Sequence, residues 1–342
     1  MPNSPSSMPD PSNIPAPLVV EIDDRSGFCF GVVRAIAAAE EHIAGGADHA
    51  ELVSLGDIVH NDSEVARLTR LGLRTVPENA DLGTLAGRTV LIRAHGEPPA
   101  TYSKAREVGI TLIDVTCPVV AKLQKTVAEA ARQMQQIGGQ VVIFGKRGHA
   151  EVRGLAGQTT EAVVVVEGES DLEQIDFARP IYFLAQTTSS LSEFDRLGRL
   201  IRDRATDPAR VTIHDTVCRQ VSGREEHLAE FAGRFDVVVF VAGAKSSNGR
   251  VLFEAVRSAN PRSHKIEDPT ELRPEWFTGA HSVGTGDARA VETCGVRSVG
   301  VCGATSTPRW LMEQVAKAIE IMNYELLCRA CCPIVISSEY KN

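Results

Sequence analysis

Short runs of apolar, mostly β-branched residues alternate along the chain with segments whose apolar residues recur at helical spacing. The apolar runs predict strands at 18–22, 51–55, 89–93, 111–115, 141–144, 162–166, 181–185, 236–242 and 298–301. The amphipathic segments predict helices at 30–44, 118–136, 190–204, 222–233 and 308–322. Because the strand runs are almost continuously apolar, both of their faces should be buried. This alternation predicts an α/β fold with mostly parallel sheets.

Length and composition indicate a soluble protein with more than one compact unit. The chain has 342 residues, of which 43% are hydrophobic and 23% are charged, as in ordinary globular proteins. No apolar run approaches the ~20 residues of a membrane span. Residues 1–17 are rich in Pro and Ser and lack the basic and apolar regions of a signal peptide, so they predict a disordered arm. We therefore expect a cytoplasmic protein that does not associate with membranes.

The net charge and the cysteine content reduce the number of possible function classes further. A net charge of −8 argues against nucleic-acid binding, and an anionic ligand must be held by local groups because the field of the whole chain repels it. Eight cysteines without a secretory signal are typical of a reducing compartment, where thiols are buried, catalytic or metal-binding. No GxGxxG motif follows the first strand and no Walker-type phosphate loop is present, so the usual nucleotide-binding fingerprints are missing.

Polar and sulfur-bearing residues follow one predicted strand after another. In open α/β sheets, ligands bind outside the carboxyl ends of the strands. Each such residue alone has an ordinary explanation as a surface histidine, a helix N-cap or a buried thiol. Together they predict one shared site. Its candidate residues are Cys29, His60, His95, Cys117, His149, Glu151, Thr187, Thr188, Cys218, Ser246, Ser247, Asn248 and Ser306.

Three of the cysteines are regularly spaced, with Cys29 88 residues before Cys117 and Cys117 101 residues before Cys218. This spacing predicts three similar α/β modules that each supply one thiolate to a common centre. It is unlike the local spacing of zinc knuckles. Three soft thiolates fit an iron–sulfur cluster or a Cys-rich zinc site, and a fourth position without a protein ligand is typical of a reactive centre.

The other candidate residues indicate that the ligand is an anion. Three histidines and a Ser–Ser–Asn turn that opens a helix can donate hydrogen bonds to a group such as a diphosphate. Glu151 is a single carboxylate in this polar set and is suited to proton transfer.

The motifs "GFCFGV", "IVHN", "RAHG", "DVTCP", "GHAEVRG", "AQTT", "SSN" and "ATSTP" occur in this order between residues 18 and 322. In this the chain resembles the IspH/LytB family, the 4-hydroxy-3-methylbut-2-enyl diphosphate reductases that end the non-mevalonate route to isoprenoids. The resemblance implies a pseudo-threefold trefoil of α/β modules around a 4Fe-4S cluster. It implies that Cys29, Cys117 and Cys218 hold three irons, with the fourth iron open to the allylic alkoxide of the substrate. The implied segments are an arm at 1–17, modules at 18–117, 118–217 and 218–325, and a tail at 326–342.

The resemblance also assigns roles to the remaining candidates. Glu151 would deliver protons, and Thr187 would hydrogen-bond the substrate hydroxyl. The groups around the diphosphate would be His60, His95, His149, Ser246, Ser247, Asn248 and Ser306. The implied reaction is a two-electron, two-proton reductive dehydroxylation to isopentenyl and dimethylallyl diphosphates, with electrons from a ferredoxin- or flavodoxin-type donor.

The chain departs from the family pattern after Cys218, where "CRQVSGREE" replaces an Ala–Thr stretch followed by Arg–Gln. The tail cysteines Cys328, Cys331 and Cys332 are expected to be unliganded, and Cys294 and Cys302 are expected to be packing thiols. Two other functions stay open on the residues alone. One is a non-catalytic iron–sulfur or zinc protein that binds a phosphorylated ligand, and the other is a zinc-dependent hydrolase with Cys and His ligands.

Overall fold

The structure is a computed structural model that describes residues 18–45, 51–277 and 296–331, with side chains as far as Tyr324. The predicted N-terminal arm, Cys294 and Cys332 lie outside the described residues, as do the side chains of Cys328 and Cys331.

Strands and helices alternate through the described residues. The strands are β1 (Val19–Ile22), β2 (Leu52–Leu55), β3 (Arg74–Val76), β4 (Thr89–Ile92), β5 (Thr111–Asp114), β6 (Gln140–Phe144), β7 (Val163–Val166), β8 (Ile181–Ala185), β9 (Val211–His214), β10 (Val237–Val241), β11 (Ser263–Ile266) and β12 (Ser298–Gly303). The helices are α1 (Phe30–Ala44), α2 (Asp62–Leu71), α3 (Pro99–Glu107), α4 (Pro118–Gln136), α5 (Ala150–Ala156), α6 (Leu191–Arg204), α7 (Arg219–Ala232), α8 (Ser247–Ala259) and α9 (Arg309–Cys331).

These strands form three four-stranded sheets in which every described pair is parallel. The N-terminal sheet has the order β3-β2-β4-β5, the central sheet β7-β6-β8-β9, and the C-terminal sheet β11-β10-β12-β1. In each sheet the order is therefore second strand, first, third and fourth, and β1 serves as the fourth strand of the C-terminal sheet. The predicted α/β fold with mostly parallel sheets is confirmed.

Apolar clusters lie on both faces of each sheet, which explains the continuous apolar runs. In the central sheet, Val142 and Phe183 face one cluster and Val141 and Leu184 face the other. The N-terminal and C-terminal sheets are likewise covered on two sides. The sheets are therefore held by helices that bury their faces, and the strand ends are left for the site.

The structure corrects several element predictions. No ranges were predicted for the helices α2, α3 and α5 and the strands β3, β9 and β11, because each is short and its apolar residues are few. The Ser–Ser–Asn turn predicted the start of α8 but not its end. The last predicted helix, 308–322, continues to Cys331, so the predicted tail begins inside α9. The module boundaries stay a prediction, and the sheet pairing places β1 beside β12 at the far end of the chain. Within the described residues, no helix combines the length and apolar character needed to cross a bilayer.

Candidate active site

All the side chains predicted to share a site line one cavity, at the place where the carboxyl ends of the three sheets meet. The lining includes Cys29, His60, His95, Cys117, His149, Glu151, Thr187, Thr188, Cys218, Ser246, Ser247, Asn248 and Ser306. The predicted convergence is therefore what the fold produces, because parallel strands end at the same edge of each sheet.

The three thiols that line the cavity occupy equivalent positions in the three sheets. Cys29, Cys117 and Cys218 each follow the fourth strand of a sheet and form the N-cap of the next helix, namely α1, α4 and α7. None of the three side chains makes a capping hydrogen bond, so each sulfur is available to a ligand.

The same backbone hydrogen bond fixes each of these cysteines. Each cysteine N–H donates to a carbonyl oxygen just beyond the third strand of the same sheet. For Cys29, Cys117 and Cys218 the acceptors belong to Thr305, Ala94 and Thr187, at 3.1, 3.0 and 2.8 Å. The threefold repetition of the sheets thus extends to the loops that hold the sulfur atoms.

The three cysteine thiols together are suitable ligands for an iron–sulfur cluster. All three thiols are half-buried and free of disulfides. All three line the same cavity. Burial raises the pKa of the Cys218 thiol, and the charges of Cys29 and Cys117 raise it further. A Cβ on Gly31 would lie 3.0 Å from the Sγ atom of Cys117, so glycine at this position leaves room beside the sulfur. Soft thiolates that converge in this way are the ligands such clusters use.

A cation lies beside two of the thiols. The Nη1 atom of Arg224 donates to the carbonyl oxygen of Gly27 at 2.7 Å, which joins α7 to the loop that carries Cys29. Burial lowers the pKa of Arg224, and the nearby thiols of Cys29 and Cys218 raise it. The sequence analysis assigned no role to Arg224. Its position six residues after Cys218, about one and a half helical turns, is the only feature of the sequence that could have indicated one.

A second contact joins the same two segments. The Nε2 atom of His227 lies 2.6 Å from Oδ1 of Asp23, and the other oxygen of that buried carboxylate accepts a hydrogen bond from Ser26 at 2.7 Å. The Cys29 loop is therefore fastened to α7 at two points.

Three imidazole rings lie together in the same cavity. The ring centroids of His60, His95 and His149 are 4.8, 5.1 and 5.3 Å apart. Burial lowers the pKa of each ring, to about 3 for His149. The charge of Arg93, which is only 1% exposed, acts on all three in the same direction. The rings are therefore neutral at pH 7 in the free protein.

Several buried polar nitrogen atoms at the cavity have no hydrogen-bond partner within the described residues. They are both ring nitrogens of His60, Nδ1 of His95 and Nδ2 of Asn248. Buried polar groups are rarely left unpaired, because each costs about 1–3 kcal/mol. Oδ1 of Asn248 accepts from the backbone N–H and the hydroxyl of Thr305 at 2.9 and 2.7 Å, which leaves its amide N–H₂ for a ligand.

The start of α8 adds hydroxyl groups to this set. Ser246 caps the helix through a hydrogen bond from the N–H of Gly249 at 3.0 Å, and its Oγ lies 3.0 Å from Oγ of Ser306. A helix N-terminus with two hydroxyls and an amide is a favourable place for a phosphate group.

The tautomer of His149 is set by its neighbours. Its Nδ1 accepts a hydrogen bond from the backbone N–H of Glu151 at 3.2 Å and lies 3.1 Å from Nε2 of Gln186. The proton must therefore sit on Nε2 of the ring. Gln186 is part of the quoted "AQTT" motif, but its effect on His149 could be seen only in the structure.

The carboxyl group of Glu151 is buried, and within the described residues both of its oxygens accept hydrogen bonds from Thr187. Its Oε1 accepts from the Thr187 N–H at 2.7 Å and its Oε2 from the Thr187 hydroxyl at 2.8 Å. Burial raises the pKa of the carboxyl to about 7, although both hydrogen bonds act to lower it. This carboxyl can therefore carry or release a proton near neutral pH, as a general acid must.

Comparison with known proteins gives a consistent result. The model of the LytB protein family matches residues 20–320. The 4-hydroxy-3-methylbut-2-enyl diphosphate reductase of Porphyromonas gingivalis is 46% identical over 303 residues, covering 89% of this chain and 99% of the relative. The enzyme of the same name from Chlorobaculum tepidum is 42% identical over 330 residues, covering 86% and 94%.

Two solved structures are similar over nearly the whole chain. One is described as (E)-4-hydroxy-3-methyl-but-2-enyl diphosphate reductase, the terminal enzyme of the non-mevalonate pathway, with 31% identity, a TM-score of 0.61 and coverage of 89% and 99%. The other, a reductase from Plasmodium falciparum, supports the fold at 21% identity, with a TM-score of 0.73 and coverage of 90% of each chain. The match over the folded chain and the identities above 40% show that this protein belongs to the LytB family.

Proposed function

We propose that this protein reduces (E)-4-hydroxy-3-methylbut-2-enyl diphosphate to isopentenyl and dimethylallyl diphosphates. The allylic C–O bond breaks, two electrons and two protons enter, one C–H bond forms and the hydroxyl leaves as water. The observation that carries the proposal is a single cavity that combines three equivalent thiols, unpaired buried donors and one carboxyl with a pKa of about 7.

Cys29, Cys117 and Cys218 would hold a 4Fe-4S cluster, and the free, half-buried thiols and the space beside Gly31 suit that group. When bound, the cluster supplies electrons and Lewis acidity at its position without a protein ligand. Ligands that come one from each sheet tie the cluster to the whole fold.

The diphosphate would bind between the imidazole rings and the start of α8. His60 and His95 offer unpaired ring nitrogens, Asn248 offers its amide, and His149 presents Nε2–H. Ser246, Ser247 and Ser306 line the same side of the cavity. Neutral donors of this kind can bind a multiply charged anion without placing many fixed cations in the site, and the low dielectric strengthens each hydrogen bond.

Thr187 and Glu151 would handle the protons. The hydroxyl of Thr187 reaches the cavity and contacts Oε2 of Glu151. When Glu151 is protonated, it can donate to Oγ1 of Thr187, whose own proton then points to the substrate hydroxyl. The Thr187 N–H keeps the other carboxyl oxygen in place during this exchange.

The reaction needs an external source of electrons, and we propose a one-electron carrier of the ferredoxin or flavodoxin type. The thiols are half-buried, which leaves the proposed cluster near the surface for such a carrier. A reducing cytoplasm would suit both the thiolates and the carrier.

The test is anaerobic purification, iron and sulfide analysis, and an assay with the hydroxylated allylic diphosphate and a chemical reductant. We expect a brown protein with about four irons and four sulfides per chain that forms both products. A colourless protein that contains zinc and hydrolyses phosphate esters would instead favour the hydrolase. Bound cluster and tight substrate binding without turnover would favour the non-catalytic binding protein.

A further inference from the structure

Large apolar side chains are exposed directly beside the thiols. Phe30 follows Cys29 and is 60% exposed, and Val33 on the next turn is 49% exposed. Val119, two residues after Cys117, is 42% exposed. Exposed apolar side chains are ordinary when scattered, but a contiguous group marks an interaction surface.

These side chains belong to one surface rather than to three separate helices. The Phe30 N–H donates to Oε1 of Gln220 at 3.4 Å, which joins the starts of α1 and α7. Val119 and Gln220 line the same shallow pocket, which joins the starts of α4 and α7. We call this surface the thiol face; it consists of Phe30, Val33, Arg34, Val119, Lys122, Arg219 and Gln220.

The thiol face carries positive charge on a protein whose net charge is −8. Arg34 and Lys122 are exposed, and the Arg219 side chain is 71% exposed. Arg219 is paired with Asp215, whose Oδ2 lies 2.6 Å from its Nη2 atom. Of the seven residues that define the thiol face, three are cations and none is a carboxylate, so the face has the opposite sign to the protein as a whole.

We propose that the thiol face is the docking surface for a small acidic one-electron carrier protein. This inference rests on the proposed function, which requires two electrons per turnover. A one-electron carrier must bind and leave twice, so its interface should be small and transient, with a few apolar contacts inside a charged rim. Opposite charges speed such encounters by steering the partners together. The face is formed by the first turns of α1, α4 and α7, whose N-caps are the three cysteines.

The test compares three forms of the cluster-loaded protein: the wild type, Arg34→Glu/Lys122→Glu, and the control Arg202→Glu/Lys317→Glu. The two double variants change the net charge equally, and the control pair lies on α6 and α9, at exposed positions outside the thiol face. Binding of an acidic ferredoxin is measured at low salt, and turnover is measured with ferredoxin and with dithionite-reduced methyl viologen. Methyl viologen needs no protein docking surface.

We expect the Arg34/Lys122 variant to bind ferredoxin at least tenfold more weakly and to need a correspondingly higher ferredoxin concentration for half-maximal turnover. Its viologen-driven rate and iron content should stay within twofold of the wild type, and the control variant should resemble the wild type throughout. Phe30→Ala should weaken ferredoxin binding without changing its salt dependence, because it removes only apolar contact.

Unchanged ferredoxin binding in Arg34→Glu/Lys122→Glu would overturn the docking proposal, as would an equal loss in the control variant. Wild-type protein that binds ferredoxin at the thiol face but shows no turnover with either reductant would overturn the proposed function and support the docking surface. The binding measurement thus separates the two.

Discussion

Thr187 engages both carboxylate oxygens of Glu151, one through its backbone N–H at 2.7 Å and the other through its hydroxyl at 2.8 Å. The carbonyl of Thr187 in turn accepts the N–H of Cys218 at 2.8 Å. Thr187 therefore links Glu151, the one carboxyl among the described residues that line the cavity, to a proposed cluster ligand. This arrangement fixes the carboxyl and leaves the hydroxyl proton able to move.

Replacement of Glu151 by glutamine tests the proton donor. Glu151→Gln keeps the shape of the side chain but removes the acid, so we expect kcat to fall by roughly 10²–10⁴-fold, the range for loss of a general acid. Iron content and the dissociation constant of the substrate should change less than threefold by anaerobic titration. Glu161→Gln, at an exposed position, is the matched control. A near-normal rate in Glu151→Gln would show that the proton comes from another group.

The pH dependence follows from the pKa of Glu151, which burial raises to about 7. The acid form prevails below this value in the free protein, so kcat/KM should be steady below pH 7 and fall about tenfold for each pH unit above it. The Thr187 hydrogen bonds lower this pKa. In Thr187→Val, which loses the hydroxyl but keeps the N–H, the falling limb of the profile should move to higher pH. A limb that stays in place would assign it to another group.

Substrate binding should take up protons. Burial and the charge of Arg93 lower the pKa of His60, and the pKa of His149 is about 3 in the free protein. A diphosphate beside the rings reverses the sign of the local field and raises these pKa values. Calorimetric titration with inorganic diphosphate at pH 6, in buffers of different ionisation enthalpy, should show net proton uptake. His60→Gln should reduce the uptake, and an enthalpy that is independent of the buffer would contradict the prediction.

Asn248 should be required for its amide nitrogen rather than its oxygen. Asn248→Asp keeps an acceptor for Thr305 but places a negative charge where Nδ2 lies. We expect the KM for the diphosphate substrate to rise at least about 100-fold, equivalent to roughly 3 kcal/mol. Iron content should remain normal. Asn260→Asp, a buried asparagine that binds backbone carbonyls elsewhere, is the control; a normal KM in Asn248→Asp would remove Asn248 from the binding set.

Arg224 should tune the proposed cluster. A cation near the Cys29 and Cys218 thiols stabilises the more negative, reduced state. Arg224→Met should therefore lower the midpoint potential by an amount on the order of tens of millivolts, measured by redox titration followed by electron paramagnetic resonance. Arg224→Lys should restore most of the potential even though it loses the guanidinium contact with Gly27. Equal potentials in all three forms would leave Arg224 a purely structural role.

The candidate residues could be predicted from the sequence because each follows a recognisable strand; Cys117 and His149, for example, stand just beyond an apolar run. The residues that support them could not be predicted in this way. Arg93 is buried and Arg224 is half-buried against segments distant in the sequence, whereas an arginine is expected at the surface. The pairing of β1 with β12 joins the two ends of the chain, and periodicity carries no information about such contacts. For α8, the Ser–Ser–Asn turn predicted only the start of the helix and not its end.

The repeated strand order assigns two tasks of one pocket, holding an inorganic group and orienting a substrate, to different loops. Positions after the fourth strands are identical, a cysteine in each sheet, whereas positions after the first strands differ: His60, His149 and Ser246. Three equivalent cysteines suit a compact inorganic group that has three equivalent metal positions. The unlike residues on the inner loops break that symmetry and give an elongated, one-ended substrate a single orientation. Substitutions that change substrate preference should therefore occur in the loops after the first strands. The three cysteines after the fourth strands should not tolerate substitution.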